Sequence, residues 1–171
     1  MSGGATPGET STVDLNSYRF RSVWRVPAPR EAVYRVLEEL AEYPRWWPEI
    51  RRSERVDDQT YELTCRSLLP YDLTFTTTQQ RTDPDRGLLE ASMAGDLEGF
   101  SRWTMREDLN GTRLMFTEVV IANKALLRRL AFVARPAFTA NHALMMRHGQ
   151  QGLRTYLAGY TAGRRAEAIQ A

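Results

Sequence analysis

Glu118 and His148 are the two residues of this 171-residue chain whose types and positions suit acid–base chemistry. Glu118 shares strand parity with Leu114, Phe116 and Val120, so its carboxylate points to the side those apolar residues occupy. A carboxylate among apolar neighbours resists ionisation and its pKa rises, the condition of a general acid or base. The position also suits a polar anchor for a ligand, or a buried pair with His148, Asn141 or an arginine; a slip in register would turn it outward. His148 falls on the inward side of a helical wheel, where an imidazole can shuttle protons in an aldol-type cyclisation or dehydration. Its plainer role there is a hydrogen-bonded core residue. His142 lies about 100° off the centre of the inward side.

Other chemistries lack their residues. Two histidines six positions apart do not make a helical metal-ligand pair, which needs spacings of three or four, so no metal is expected. The lone Cys65 provides neither a disulfide nor a cysteine cluster and reads as a small buried side chain. Gly95-Asp96-Leu97-Glu98-Gly99 does not follow phosphate-loop spacing, and its acids would repel phosphate. No Ser/His/Asp elbow is visible, and no cofactor is expected. A formal net charge of +2 gives no nucleic-acid signal.

The bulky side chains point instead to a binding surface. Trp46 and Trp47, between Pro44 and Pro48, suit a lid over a cavity mouth or plain core packing. Trp103 shares parity with Ser101 and Met105. Met93, Met105, Met115, Met145 and Met146 add adaptable surface or fill gaps. The candidate ligand contacts are Trp24, Trp46, Trp47, Tyr71, Leu73, Phe75, Trp103, Met105, Leu114, Phe116, Phe138, Asn141 and Met145.

These residues need elements to position them. Tyr18 to Val26 alternates, with Tyr18, Phe20, Ser22, Trp24 and Val26 opposite Arg19, Arg21 and Arg25, which predicts an antiparallel strand with one wet face. Glu31 to Leu40 switches to a helical period through Val33, Val36, Leu37 and Leu40, with Pro29 well placed at its start. Tyr43 to Pro48 breaks regular structure. Six short strands follow: 50–56, 60–67, 71–80, 88–94, 99–107 and 113–121. Turn residues such as Asp57-Asp58 and Asn110-Gly111 separate them, and no helix intervenes, so a meander is expected. Asn123 caps a long helix reaching about Gly159, which Pro136 kinks or splits. Residues 1–14 read as a disordered lead-in, 15–161 as a single domain and 162–171 as a frayed basic tail. With no signal-peptide core and no span of about 20 apolar residues, a cytoplasmic protein is expected.

On the wheel, Arg128, Arg129, Arg135, Arg147, Arg154, Arg164 and Arg165 share a sector of roughly 120°. Opposite lie Leu127, Leu130, Ala134, Phe138, Asn141, Met145, His148, Gly152 and Tyr156. One face needs water or anions, and the other needs a partner, for which the sheet is the large one available. Gly149 and Gly152 cost helix stability, about 1 kcal/mol each relative to alanine, so they leave room or let another backbone come close; with a curved sheet they favour a hollow. From Asn123 onward there are eight basic residues and one acidic. That is a solvated face or a weak docking surface, through Arg128, Arg135, Arg147 and Arg154, for an anionic membrane or an acidic protein. Oligomeric state is not legible.

The order strand, helix, meander, long C-terminal helix resembles the START-like (SRPBCC) superfamily, and within it the polyketide cyclase/dehydrase and lipid-transport branch. The matching pieces are Ala28-Pro29, Tyr43-Pro44-Arg45-Trp46-Trp47-Pro48, Leu69-Pro70-Tyr71-Asp72-Leu73, Gly95-Asp96-Leu97-Glu98-Gly99, Arg102-Trp103-Thr104, Gly111-Thr112-Arg113-Leu114, and Asn141-His142 followed by Met146 and Gly152-Leu153. The resemblance implies an α+β helix-grip fold: a curved antiparallel sheet wrapped around the last helix, with an elongated apolar cavity. It implies binding or transport of a hydrophobic small molecule (a lipid, isoprenoid or polyketide-like compound). The alternative is an aromatase/cyclase using Glu118 or His148 for proton transfer. Glu118 departs from the branch, which has an aromatic there.

Overall fold

Strict alternation carries Ser17–Val26 as strand β1, with Tyr18, Phe20, Trp24 and Val26 buried and Arg19, Arg21 and Arg25 exposed. The computed structural model describes residues 17–66, 71–123 and 131–170, the last stretch without the side chains of 131–135 and 161–170. The expected lead-in and the Leu69-Pro70 piece lie outside the described residues. Pro29 stands at the N-cap of α1 (Arg30–Glu38), where its missing N–H is not needed. Val33, Tyr34, Val36 and Leu37 form the buried stripe of α1. A 3₁₀ turn at Leu40–Glu42 leads into α2 (Tyr43–Trp46), one helical turn where the sequence suggested none. Pro44 sits in its first turn, and the Trp47 N–H closes it on Tyr43 O at 2.8 Å.

Strands β2 (Ile50–Arg55), β3 (Thr60–Cys65), β4 (Leu73–Asp83), β5 (Leu88–Gly95), β6 (Leu97–Asp108) and β7 (Gly111–Ala122) form the meander. β1 closes onto β7, giving the antiparallel order β1-β7-β6-β5-β4-β3-β2. The β6–β7 turn is Leu109-Asn110, one residue earlier than expected. Gly111 alone takes positive φ there, 136°, and a Cβ on it would stand 2.2 Å from Val26 O.

The long helix α3 (Ala131–Gln170) packs against β1, α1 and α2. It runs unbroken through Pro136, which lies near its start, where one lost N–H bond leaves the rest of the ladder intact. It also takes in most of the expected frayed tail. The residues that follow Asn123, on which its expected role as a cap depends, lie outside the described residues. The Asn123 side chain donates to Gly95 O and Glu98 Oε2, and its N–H to Asp96 O, tying the end of β7 to the β5–β6 turn.

The inward stripe of α3 is centred on His142, Met146, Gly149, Leu153 and Leu157. That is turned from the pole opposite the arginines. The wheel assumed arginines avoid protein, yet Arg154 Nε donates to Arg25 O of β1 at 2.8 Å. The helix is also wedged between two neighbours, the sheet and the Trp46–Trp47 segment, and its rotation is set by both.

Candidate functional site

The strand registers stack the inward side chains into cross-strand rows. Trp24, Leu114 and Met105 form one row, each no more than 2% exposed. The next holds Phe116, Trp103 and Leu89, and the next Phe20, Glu118, Ser101 and Ala91. Beyond it come Val120, Gly99 and Met93. The rows change in bulk. Ser101, Ala91 and Gly99 are small where Trp103 and Leu89 are large, so the space beneath α3 is not filled there. A cavity of about 140 Å³ results, mostly apolar and lined by residues from the sheet, α1, α2 and α3.

Glu118 lies in this hollow, and its partner is His142. His142 Nε2 stands 3.1 Å from Glu118 Oε2, with the two side chains 14% and 8% exposed. With the carboxylate oxygen accepting, the imidazole donates from Nε2, which leaves Nδ1 as the other ring nitrogen. The ring stacks on Phe20, centroids 3.8 Å apart and planes within 9°, with Phe116 at 6.3 Å. Nδ1 of His142 has no hydrogen-bond partner among the described residues. The pair puts a polar, orientable group into a mostly apolar chamber whose other polar lining includes Thr77, Ser101 and Asn141.

His148, the sequence candidate, is elsewhere. It lies at the border of the inward stripe, its side chain 45% exposed, with Nδ1 2.6 Å from Oε1 of the buried Glu49. It does not line the cavity, because the helix rotation that centres His142 carries His148 to the flank. The missed signal was the run Phe138, His142, Met146, Gly149, Leu153 and Leu157, spaced by three and four, read on its own rather than as the antipode of the arginines.

The other expected contacts divide by row. Leu73, Phe75, Trp103, Phe116, Phe138, Asn141, Met145 and Trp47 line the cavity. Trp24, Met105 and Leu114 do not, since their row is solid core: Trp24 meets Trp47 and Trp103 edge-on at 5.6 and 4.8 Å. Parity told which way they point but not at which level the space begins. Trp46 faces an outer groove, and Tyr71 packs on the core without lining the hollow. Phe20, Leu37, Leu40, Tyr43, Ile50, Leu63 and Met146 also line it and were not anticipated.

Gly149 and Gly152 do not make the hollow. They admit the segment Tyr43–Ile50 against α3. A Cβ on Gly152 would stand 1.7 Å from Trp46 O, and one on Gly149 2.6 Å from Trp47 Cε2. Trp47 Nε1 donates to Met145 O at 3.0 Å, and Tyr156 Oη to Glu42 Oε2 at 3.3 Å.

Two buried groups are fixed as neutral. Burial holds the Tyr43 phenol well above its ordinary range, although the Trp103 N–H bonds it; the phenol donates to Leu37 O at 2.7 Å. Burial pushes the Cys65 thiol up to about 12, with Glu118 and then Glu49 adding in the same direction. Cys65 in the folded protein is therefore expected to resist iodoacetamide at pH 8 and to react fully once unfolded in urea. Mass spectrometry of the adducts checks this, and rapid native alkylation would contradict it.

Arg147 and Arg154 are exposed on α3, while the side chains of Arg128 and Arg135 lie outside the described residues. Among the described residues no three His, Cys, Asp or Glu side chains converge as a metal site, and no helix is long and apolar enough to cross a membrane.

The fold is similar to that of the Zhui aromatase/cyclase from Streptomyces sp. R1128, at 16% identity and a TM-score of 0.71, covering 83% of this chain and 94% of that one. A START superfamily protein from Mycobacterium smegmatis matches at 14% identity and a TM-score of 0.63, over 84% of this chain and 98% of that one. The di-domain ARO/CYC StfQ from the steffimycin biosynthetic pathway matches at 12% identity and a TM-score of 0.66, over 86% of this chain and 53% of that one. At these identities the likeness is one of fold. No curated protein matches the chain in sequence. A family model, polyketide cyclase/dehydrase and lipid transport, matches residues 26–142, from the end of β1 to the histidine that meets Glu118, and the chain belongs to that family.

Proposed function

We propose that this protein binds a small hydrophobic molecule that carries one hydrogen-bonding oxygen. The observation behind this reading is the buried His142–Glu118 pair in a mostly apolar hollow. Apolar lining supplies affinity, and a few placed polar groups fix orientation. Size narrows the ligand. A cavity of about 150 Å³ accommodates benzene, whereas drug-sized ligands occupy about 300–1,000 Å³. At about 140 Å³ the resting hollow suits one ring or a short chain, and a fatty acyl chain or multi-ring polyketide requires it to widen. A phenol fits the chemistry, because its hydroxyl can bond Nδ1 of His142 while its ring lies among Phe20, Phe116 and Trp103.

Titration with 4-nitrophenol, followed by quenching of tryptophan fluorescence, tests this. Saturable quenching is expected in the native protein. Ser101→Leu, which fills the space beside Glu118, is expected to abolish it while leaving the melting temperature unchanged or raised. Equal quenching in Ser101→Leu would place the ligand elsewhere.

A second reading has its own support: the pair is a carboxylate–imidazole couple facing the chamber. In an aromatase/cyclase, Nδ1 of His142 would take a proton from the substrate while Glu118 steadies the imidazolium formed. That role requires turnover of a polyketide-like substrate to collapse in Glu118→Gln while substrate binding persists.

A further inference from the structure

The row that holds Glu118 does not stop at Ala91. Ala91 pairs with Gln79 of β4, so one cross-strand row runs Phe20, Glu118, Ser101, Ala91, Gln79 over five strands. From Glu118 onward its side chains pass from a carboxylate, through two small residues, to a carboxamide, and all of them line the cavity. The row on one flank is bulkier, with Phe116, Trp103 and Leu89. The hollow is therefore a trough laid across the strands, and strand spacing sets its length. Three spacings of about 4.8 Å put Glu118 and Gln79 about 14 Å apart along the sheet, and closer at their tips, which converge on the concave face.

Glu118 and His142 hold one end, and the other end is open. Thr82, which lines the cavity, is exposed, and Gln79 and Glu90 are half-buried. A bulge between Gln79 and Arg81 shapes this mouth. The extra residue shifts the parity of β4, so that Thr82 falls opposite Leu89, which faces in. Arg81 falls opposite Glu90, whose carboxylate bonds Arg102. Without the bulge Arg81 would share the inward face with Gln79, and its guanidinium would stand in the opening.

Gln79 is held in one orientation. Its Nε2 donates at 3.1 Å to Glu38 O, at the C-terminal end of α1. A carbonyl oxygen only accepts, so the amide is not reversed and Oε1 is left as the acceptor. That oxygen has no hydrogen-bond partner among the described residues.

We propose that the trough binds an elongated molecule with a hydrogen-bond donor at each end. One is a phenolic hydroxyl on His142; the other is an O–H or N–H, carried on a para chain past Ser101 and Ala91, on Gln79 Oε1. This rests on the cavity being a ligand site, and it adds to the ligand a second polar group at a set distance from the first. The hollow of about 140 Å³ takes the ring, and the chain runs to the open end, through which the ligand enters.

Calorimetric titration with 4-butylphenol and 4-(4-hydroxybutyl)phenol, which differ only in the terminal hydroxyl, tests this. In a purely apolar cavity that hydroxyl weakens binding, because it is buried without a partner. Here the hydroxylated probe is expected to bind the unmodified protein about two- to tenfold more tightly than 4-butylphenol. That comparison needs no variant. Gln79→Leu is expected to reverse the order, and a loosened fold alone does not reverse a preference between two probes. The second polar end would be overturned by 4-butylphenol binding at least as tightly as its hydroxylated partner, or by an order that survives in Gln79→Leu. Refusal of both probes where 4-nitrophenol is accepted would also overturn it, and each of these leaves the cavity a ligand site. If 4-nitrophenol fails to bind as well, both readings fall.

Discussion

Gly152→Ala is expected to destabilise the protein by several kcal/mol, although alanine is the better helix former. In an ordinary exposed helix interior the change gains up to about 1 kcal/mol. Here the new Cβ would stand 1.7 Å from Trp46 O and 2.9 Å from its carbonyl carbon. Both partners are backbone, one in α3 and one at the end of α2, so no rotamer change relieves the clash. Overpacking of a core costs about 1–3 kcal/mol when side chains can shift, and more is expected where the backbone must move. Gly159 provides the contrast on the same helix: a Cβ there meets nothing within 4 Å, so Gly159→Ala is expected to stabilise by about 0.5–1 kcal/mol. Urea midpoints of the two variants should move in opposite directions. Equal stabilisation in both would mean that α3 does not lie against Trp46 as described.

Removing the cavity's polar pair is the other large effect. Glu118→Leu leaves the His142 N–H buried beside a hydrocarbon, and a buried donor stripped of its partner costs about 1–3 kcal/mol. Adding His142→Phe should recover most of that loss, because phenylalanine keeps the stack on Phe20 and needs no acceptor. The recovery is the coupling energy of a double-mutant cycle, measured by urea unfolding. Ligand affinity should not recover with it. A lost hydrogen bond is worth about 0.5–1.5 kcal/mol, so 4-nitrophenol binding in the double variant should stay weaker by about two- to tenfold. Restored stability with restored affinity would show that the pair serves folding alone.

Much of this was legible in the residues. Alternation in β1 and β7 and the change of period at Glu31 depend only on neighbours along the chain, as does the fact that Glu118 points inward with Phe116. What lay outside local pattern was everything fixed by two elements meeting. Pairing of β5, β6 and β7 brought Ser101, Ala91 and Gly99 side by side, and so decided that the row of Trp24, Leu114 and Met105 is solid while the rows beyond enclose space. The rotation of α3 was decided by β1 on one flank and Trp46–Trp47 on the other, and that rotation gave Glu118 His142 as its partner while sending His148 to Glu49. The glycines show the same division. Sequence marked Gly149 and Gly152 as needing a reason, and the approach of Trp46 and Trp47, more than 100 residues away in the chain, supplied it. A periodicity tells which way a side chain points; what it meets there is a property of the pair of surfaces.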